Sequence, residues 1–131
     1  MSEIVIRISP AVTNNALNDL FATAWDNHVS SDFEPILSRS LLYVCAYADE
    51  GLVGYVNVAW DGGIHGFILD TTVHADYQRQ GIGRKVVEAA IAASRAKGIE
   101  WLHVDYEPHL ETFYKACGFR HTAAGLLNLK R

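Results

Sequence analysis

The segment 78–84, which reads Gln-Arg-Gln-Gly-Ile-Gly-Arg, carries residue types that suit the binding of an anion. Gly81 and Gly83 have no Cβ, so the backbone can approach a ligand closely. An apolar run ending at Val73 precedes the segment, and an amphipathic pattern follows it. The free N–H groups and the dipole at a helix start favour a phosphate group. The segment therefore predicts a phosphate or pyrophosphate site, with an ordinary glycine turn as the alternative.

Charge and composition limit the ligands that the chain is expected to bind. Its 131 residues include 11 Lys and Arg against 15 Asp and Glu, which gives a net charge of −4. No basic stripe interleaved with aromatic residues occurs, so a nucleic-acid partner is not expected. Arg79, Arg84 and Lys85 place positive charge at the glycine segment of an otherwise acidic chain. An amine or another cationic substrate fits this balance.

Length and apolar pattern predict one domain, residues 1–131, located in the cytoplasm. A chain of this size, 50% hydrophobic, can bury about two thirds of its unfolded surface. No apolar run approaches the ~20 residues of a membrane span, and the N-terminus lacks a signal-like segment. Cys45 and Cys117 lie far apart and are expected to be reduced. The six histidines lack the spacing of a metal site, so no metal is expected.

Hydrophobic periodicity predicts a mixed α+β order of elements. A polar turn at Asp49 and a capping residue at Thr13 mark two of the boundaries. Strands are expected at 4–8, 41–47, 52–60, 64–73 and 101–105, with two more near 120–121 and 126–129, and helices at 13–25, 34–40, 81–97 and 110–116. The middle of the chain is thus an antiparallel meander, and a strand, glycine segment, helix and strand follow it.

Two motifs in fixed order resemble the GNAT superfamily of acyl-CoA-dependent N-acyltransferases. The first is Gln78-x-x-Gly81-x-Gly83 after an apolar strand, and the second is Phe-Tyr-Lys-Ala-Cys-Gly-Phe at 113–119. The resemblance runs from about residue 66 to 119, and the preceding elements follow the family's order. It implies a central mixed sheet of about six to seven strands, mostly antiparallel with a splayed parallel pair, and helices on both faces.

The resemblance implies that acetyl-CoA is the acyl donor. In the family, backbone amides of the glycine loop hold the coenzyme A pyrophosphate, and the end of the preceding strand bonds to the pantetheine arm. The matching positions here are Thr72, Val73, Gln78, Arg79, Gln80, Gly81, Ile82, Gly83 and Arg84. Many members also have an asparagine shortly before the second motif, but residues 105–110 contain none, so that contact is not expected here.

Tyr114 matches the tyrosine that, in many family members, gives a proton to the leaving thiolate. Coenzyme A leaves as a sulfur anion, which a hydroxyl group within hydrogen-bond reach can stabilise. The alternative role is a half-buried helix tyrosine that packs beside Phe113 and Phe119. The motif around Tyr114 favours the catalytic role.

A general base should take a proton from the substrate ammonium group before the amine attacks the thioester. His103 is the provisional base, because an imidazole titrates near physiological pH and Asp105 on the same strand face could orient it. A lone strand histidine is often structural, however. Asp70 is the alternative base, since a carboxylate in an apolar strand needs a partner or a function. His65, Glu107 and water alone remain open.

These residues lead to the hypothesis of an N-acetyltransferase acting on the primary amine of a small molecule or peptide. The acetyl group would pass directly from acetyl-CoA in a ternary complex. In the family, acceptor specificity comes chiefly from the segment matching 26–39, which is acidic here and suits a cationic acceptor. The alternatives are a non-catalytic acyl-CoA-binding or sensing domain of the same fold and a plain nucleotide-phosphate binder. Apolar residues at 126–129 offer material for a homodimer.

Overall fold

A five-stranded mixed sheet forms the centre of the α+β fold, in a computed structural model that describes residues 3–130. The strands lie side by side in chain order, and every neighbouring pair is antiparallel except β4 and β5. The strands are β1 Ile4–Ile8, β2 Leu42–Ala48, β3 Gly51–Trp60, β4 His65–Val73 and β5 Trp101–Val104. The helices are α1 Asn14–Ala24, α2 Glu34–Arg39, α3 Ile82–Ala96 and α4 Glu111–Ala116.

Two hydrophobic clusters, one on each face of the sheet, hold the helices in place. Alternate residues of β2 and β3 point to opposite faces, so both strands are buried on both sides. On one face, α1 packs Leu17, Leu20 and Phe21 against Cys45 and Tyr55. The other cluster joins α3 and α4 to the sheet through residues that include Val44, Val56, Val58, Val86, Val87 and Tyr114. The predicted helices on both faces are confirmed.

The helix starts follow from local sequence. Thr13 caps α1, because its Oγ1 accepts a hydrogen bond from the backbone N–H of Ala16 at 3.1 Å. Pro35 in the first turn of α2 has no N–H that the helix would leave unpaired. None of the helices within residues 3–130 has both the length and the apolar composition of a membrane span.

The C-terminal segment corrects the expected number of strands. Residues 120–130 contain no strand, so the sheet has five strands rather than six to seven, and the strands expected near 120–121 and 126–129 are wrong. The segment lies exposed, and its leucines at 126, 127 and 129 are 80–89% exposed. A strand needs a neighbour that pairs with its backbone, and none of the five strands pairs with residues 120–130.

Both cysteines are free thiols, as expected. Cys45 is fully buried in β2, and burial raises the pKa of its thiol to about 11. Burial also raises the pKa of the half-buried Cys117 thiol. Because the thiolate is the reactive form, the raised pKa values make both side chains poor nucleophiles.

Candidate active site where β4 and β5 separate

The parallel strands β4 and β5 pair over four residues and then separate. Their register runs from His65 opposite Trp101 to Ile68 opposite Val104. Beyond Ile68, β4 continues to Val73 and pairs only with β3 in the part of the chain that the structure describes. The backbone groups on the open side of residues 69–73 are therefore available to a ligand, since unpaired groups at a sheet edge need a partner. The predicted parallel pair is confirmed, and its pairing ends at Ile68 and Val104.

A β-bulge in β4 lies at this opening. Tyr55 on β3 pairs with Thr72 and Asn57 pairs with Leu69, so Asp70 and Thr71 together oppose a single residue of β3. Asp70 has a φ of 58°, in the left-handed region that non-glycine residues rarely adopt. A bulge bends its strand and redirects its side chains. It thereby places two polar residues at the point where the strands diverge.

The hydroxyl of Tyr114 reaches this bulge from α4. It donates a hydrogen bond to Oγ1 of Thr71 at 3.2 Å. The ring is 5% exposed and makes edge contacts with Phe113 and Phe119, at centroid distances of 4.8 and 5.8 Å. Both roles expected for Tyr114 are thus compatible, because the ring packs in the core while the hydroxyl lies at the opening. Burial raises the pKa of this hydroxyl, so Tyr114 is a neutral proton donor at physiological pH.

The glycine segment forms a turn that leads into α3. Gly81 is the N-cap residue with a φ of 81°, and Arg79 also has a positive φ of 64°. The first N–H group bonded back within this turn is that of Lys85, to the carbonyl of Gly81. The preceding amides at the helix start therefore have no partner within the helix. We call the backbone of residues 79–84 at this helix start the anion cradle. A Cβ on Gly81 would meet no described atom within 4 Å, so the anion cradle is open to a ligand.

Gly83 connects the cradle to the opening. A Cβ at this position would lie 3.4 Å from Cγ2 of Val73 and 3.5 Å from the ring of Phe113. The first turn of α3 therefore packs closely against both the end of β4 and α4. An anion at the helix start and a group lying along the open edge of β4 would belong to one continuous ligand site.

Several side chains predicted to bind the cofactor are already hydrogen-bonded or buried within the protein. Gln78 and Arg84 are already engaged within the protein: Nε2 of Gln78 donates to the carbonyl of Val73 at 3.2 Å, and Nε of Arg84 donates to Glu88 at 3.2 Å. The ion pair is half exposed and therefore weak, so a phosphate can compete for Arg84. Ile82 is buried and can contribute only its backbone.

The hydroxyl of Thr72 is already engaged within the protein, so it is not free to bind a ligand. Its Oγ1 accepts a hydrogen bond from the indole N–H of Trp25 at 3.0 Å and donates one to the carbonyl of Asp70 at 2.8 Å. These two bonds tie the end of α1 to the bulge. Trp25 is 49% exposed, so part of its ring is available on this face of the sheet.

The two candidate bases lie at different places. Asp70 occupies the bulge beside Thr71, and desolvation by the surrounding protein raises the pKa of its carboxyl group. His103 pairs with Phe67 in the closed part of the strands, before they separate. Its Nε2 lies 2.8 Å from Nδ1 of His65, and its ring stacks on Phe67 at 4.7 Å. His103 therefore contacts His65 and Phe67, and the suggestion that Asp105 could orient it stays a prediction.

Two residues at the opening were missed from the sequence as functional candidates. Thr71 was overlooked, although three polar residues in a row, 70–72, interrupt an apolar strand and signal an irregularity. Trp25 was also missed, because its bond to Thr72 spans 47 positions of sequence. Within residues 3–130 there is no group of three or more His, Cys, Asp or Glu side chains that could hold a metal ion.

Comparison with known proteins matches this arrangement to one family. The sequence model of the Acetyltransferase (GNAT) family matches residues 12–119. The uncharacterised N-acetyltransferase ycf52 of Pyropia yezoensis is 33% identical over 72 residues, which cover 55% of this chain and 41% of that protein. The chloroplastic serotonin N-acetyltransferase 2 of Oryza sativa subsp. japonica is 33% identical over 67 residues, covering 51% of this chain and 34% of that enzyme. The matches thus span less than half the length of these two relatives.

Solved structures share the fold over nearly the whole chain. A GNAT family acetyltransferase from Streptococcus pneumoniae superposes with a TM-score of 0.78 at 26% identity, covering 97% of this chain and 99% of that one. An aminoglycoside N-acetyltransferase solved in complex with CoA gives a TM-score of 0.79 over 100% and 97% of the two chains. Its 20% identity shows a common fold alone. Because the family model covers most of the sequence, the chain belongs to the GNAT acetyltransferase family.

Proposed function

We propose that this protein is an N-acetyltransferase that moves an acetyl group from acetyl-CoA to a primary amine, by direct transfer within a ternary complex. One observation carries the proposal: the neutral hydroxyl of Tyr114 lies at the β4 bulge, 3.2 Å from Thr71, beside an open strand edge. A proton donor, unpaired strand amides and an anion cradle are the groups that an acyl-CoA donor requires.

The donor is proposed to lie along the open edge of β4. The amides of a pantetheine arm can pair with backbone groups of Thr72 and Val73, as an added strand would. The pyrophosphate then lies at the start of α3, against the backbone of residues 79–84, with the helix dipole behind it. The aminoglycoside N-acetyltransferase with the same fold was solved in complex with CoA, which supports CoA as the ligand.

The proposed reaction uses three proton transfers. A base takes one proton from the substrate ammonium, and the freed electron pair of nitrogen attacks the thioester carbonyl carbon. The new C–N bond forms and the C–S bond breaks, while Tyr114 gives its proton to the leaving sulfur. Nitrogen loses a second proton as the amide forms, and this proton restores the hydroxyl of Tyr114, through solvent if needed. The products are the N-acetyl amine, coenzyme A and one proton.

Asp70 is favoured over His103 as the base in this proposal. It adjoins Thr71, the hydrogen-bond partner of Tyr114, whereas His103 lies where the strands are still paired. Desolvation raises the pKa of Asp70, which makes its carboxylate a better proton acceptor near neutral pH than an ordinary aspartate. His103 then serves to shape the surface beside the opening.

The acceptor is proposed to be an amine on an aromatic or apolar body. Trp25, Phe67 and Leu69 are 36–49% exposed on the strand face around Asp70, so an apolar group would have surface to cover. The rice relative is named as a serotonin N-acetyltransferase, and serotonin is an aromatic primary amine. A small molecule is favoured over a peptide on this basis. Aminoglycosides, which are polar amines, are expected to be poorer acceptors than aromatic amines.

An amine screen tests the proposal against a sensing domain of the same fold. The protein is mixed with acetyl-CoA and one of a set of aromatic amines, polyamines, aminoglycosides or short peptides, and free thiol is measured. An acetyltransferase gives thiol release that depends on the amine and yields an equal amount of N-acetyl product. Tight binding of acetyl-CoA without release for any amine would favour the sensor and contradict the proposal.

A further inference from the structure

A row of side chains on one face of β4 leads to the bulge. Ile68 packs into the cluster that holds α3, whereas its neighbours Phe67 and Leu69 are 36% and 39% exposed. Because successive side chains of a strand point to opposite faces, Phe67 and Leu69 lie on the face away from α3. His65 shares this face by the same alternation. The side chains at 65, 67 and 69 therefore form an uncovered row that ends beside Asp70.

β5 adds two more rings to the same face. In the parallel register, His103 lies opposite Phe67 and Trp101 lies opposite His65. The ring of His103 stacks on that of Phe67, with a centroid distance of 4.7 Å and an angle of 21° between the ring planes. Trp101 is 56% exposed. Several exposed rings on one uncovered face are typical of a ligand or partner site.

A cavity connects these rings to the neighbourhood of the proposed acid. Its volume is about 990 Å³, and its lining includes Phe67, Trp101 and His103. The lining also includes Tyr106, whose ring stacks on that of Tyr114 at 5.1 Å. The rings of β4 and β5 thus border a space large enough for a small molecule.

His65 and His103 form a hydrogen-bonded pair within this surface. Nδ1 of His65 lies 2.8 Å from Nε2 of His103, so one of these nitrogens donates and the other accepts. A neutral imidazole has one donor and one acceptor nitrogen. The outer nitrogens of the neutral pair, Nε2 of His65 and Nδ1 of His103, are therefore one donor and one acceptor, whichever way the shared bond runs. Neither has a hydrogen-bond partner within residues 3–130.

The distance from this pair to the bulge sets the size of a matching ligand. A strand rises about 3.3 Å per residue, so Asp70 lies roughly 10 Å along β4 from Phe67 and the stacked His103. The exposed side chain of Leu69 lies between them. A ligand that reaches both ends thus carries two polar groups separated by an apolar span about the size of an aromatic ring.

We propose that the pair formed by His65 and His103 is an acceptor-recognition site, which hydrogen-bonds to a ring hydroxyl of an aromatic primary amine. This inference rests on the proposed function and narrows its acceptor class. The amine lies at Asp70, the ring lies over Leu69 beside Phe67, and the hydroxyl contacts an outer nitrogen of the histidine pair. A hydroxyl both donates and accepts, so it can satisfy either outer nitrogen. A carboxylate can only accept and an ammonium can only donate, so each matches one nitrogen alone.

The first test measures binding without turnover, by calorimetric titration in the presence of coenzyme A. The probes are two pairs of amines that differ only in a ring hydroxyl: serotonin with tryptamine, and tyramine with phenethylamine. The hydroxylated member of at least one pair should bind the wild-type protein about three- to tenfold more tightly, as expected for one added hydrogen bond. Equal affinities within both pairs would overturn the proposal.

The second test removes the ring nitrogens and keeps the rings. The double variant His65→Phe and His103→Phe is expected to fold, because both side chains lie at the surface. The Kd of the preferred hydroxylated amine should rise about three- to tenfold, whereas the Kd of its analogue should not rise. A hydroxyl preference that survives in the double variant would overturn the proposal.

His109→Phe is the matched control. His109 is an exposed histidine in the turn Pro108–Leu110 and is hydrogen-bonded to neither residue of the pair. This variant should keep the preference of the wild type. An equal loss of preference in His109→Phe would mean that removal of any histidine has this effect, which would overturn the proposal.

Measurements of acetyl transfer with the same amines separate this inference from the proposed function. If the hydroxylated amines bind through the histidine pair and none is acetylated, the recognition site stands and the acetyltransferase is contradicted. If the amines are acetylated and neither their binding nor their kcat/KM depends on the ring hydroxyl, the enzyme activity stands and the role of the pair is contradicted.

Discussion

The hydroxyl of Tyr114 donates to Oγ1 of Thr71 across 43 positions of sequence, at the point where β4 leaves β5. The contact joins a helix residue to the strand bulge that also carries Asp70. The Tyr114 hydroxyl thus lies at the same bulge as Asp70, which adjoins Thr71 in the chain. In the proposed reaction the hydroxyl serves the leaving thiolate and Asp70 serves the incoming amine.

Replacing Tyr114 by phenylalanine should separate proton donation from binding. We expect kcat to fall about 100-fold or more, because a positioned acid contributes this much to a transfer step. The Kd for acetyl-CoA should stay within about twofold, since the ring remains packed. Loss of the bond to Thr71 should lower the free energy of unfolding by about 1 kcal/mol. Steady-state kinetics, calorimetric titration and chemical denaturation measure the three quantities.

Tyr106→Phe is the matched control for that variant. Its ring stacks on Tyr114 at 5.1 Å, and its own hydroxyl lies 3.5 Å from His121. Removing this hydroxyl leaves the contact between Tyr114 and Thr71 in place. An equal loss of kcat in both variants would contradict a specific role for Tyr114.

The anion cradle can be tested with two glycines of equal backbone strain. Gly81, with a φ of 81°, lies at the start of α3, and Gly98, with a φ of 92°, lies beyond its end. Alanine at either position should cost about 1 to 2 kcal/mol of stability, because an L-residue disfavours the left-handed region. Only Gly81→Ala should also weaken acetyl-CoA binding, about tenfold, since its Cβ would occupy the open side of the cradle.

Calorimetric titration and denaturation of both variants decide this prediction. Equal weakening of acetyl-CoA binding by Gly98→Ala would mean that general instability causes the loss. Unchanged binding in Gly81→Ala would place the pyrophosphate away from this helix start.

The position of α3 depends on the absence of a side chain at Gly54. A Cβ there would lie 2.9 Å from Cγ2 of Ile82, the first residue of α3, and 3.1 Å from Cβ of Ala46. Gly54→Ala should therefore destabilise the fold by about 1 to 3 kcal/mol and displace the cradle. Both the free energy of unfolding and the affinity for acetyl-CoA should fall.

Gly51→Ala controls for the loss of a strand glycine. Among residues 3–130, a Cβ at this position would meet only the carbonyl oxygen of Ala48, at 3.5 Å. Stability and acetyl-CoA affinity should stay close to wild type. If Gly54→Ala were tolerated equally well, α3 would not be held by this contact.

The pH profile should distinguish Asp70 from His103 as the base. Because desolvation raises the pKa of Asp70, the acidic limb of kcat/KM should lie above the ordinary range of aspartate. Asp70→Asn should abolish this limb and most of kcat, and asparagine tolerates the positive φ at this position. His103→Gln should keep the limb. The opposite pattern, with the limb lost only in His103→Gln, would assign the base to His103.

Asp70→Asn should also stabilise the protein at neutral pH. The folded state binds the proton of Asp70 more tightly than the unfolded state, since its pKa is raised. Ionisation of this group therefore costs stability as pH rises through the unfolded and folded pKa values. An asparagine avoids the cost, so the free energy of unfolding at pH 7 should exceed that of wild type. If the difference in unfolding free energy between Asp70→Asn and wild type were the same at pH 3 and pH 7, desolvation would not be the cause of the raised pKa of Asp70.

The sequence predicted the elements that local patterns specify. The glycine spacing at 78–84 and the apolar face that follows gave both the cradle and α3, because helix starts depend on nearby residues. The cap at Thr13 and the strands of the meander followed for the same reason. The prediction of strands near the C-terminus was wrong. An apolar run such as 126–129 resembles a strand whether or not a neighbouring strand is present to pair with it.

Contacts that depend on strand register could not be predicted. A bulge at Asp70 changes which side chains of β4 face the opening, and nothing in the local pattern fixes its position. Thr71 was missed for this reason. His65 and His103 are 38 positions apart in sequence. Their contact likewise requires the parallel register of β4 and β5, which are joined through α3.

The central claim is that the protein transfers acetyl groups with Tyr114 as the acid. The most direct measurement compares wild type and Tyr114→Phe at saturating acetyl-CoA with the best amine from the screen, following free coenzyme A and N-acetyl product together by mass spectrometry. The account predicts equal amounts of both products from wild type and a rate about 100-fold lower from the variant. Equal rates from the two proteins, or coenzyme A release without an N-acetyl product, would contradict it.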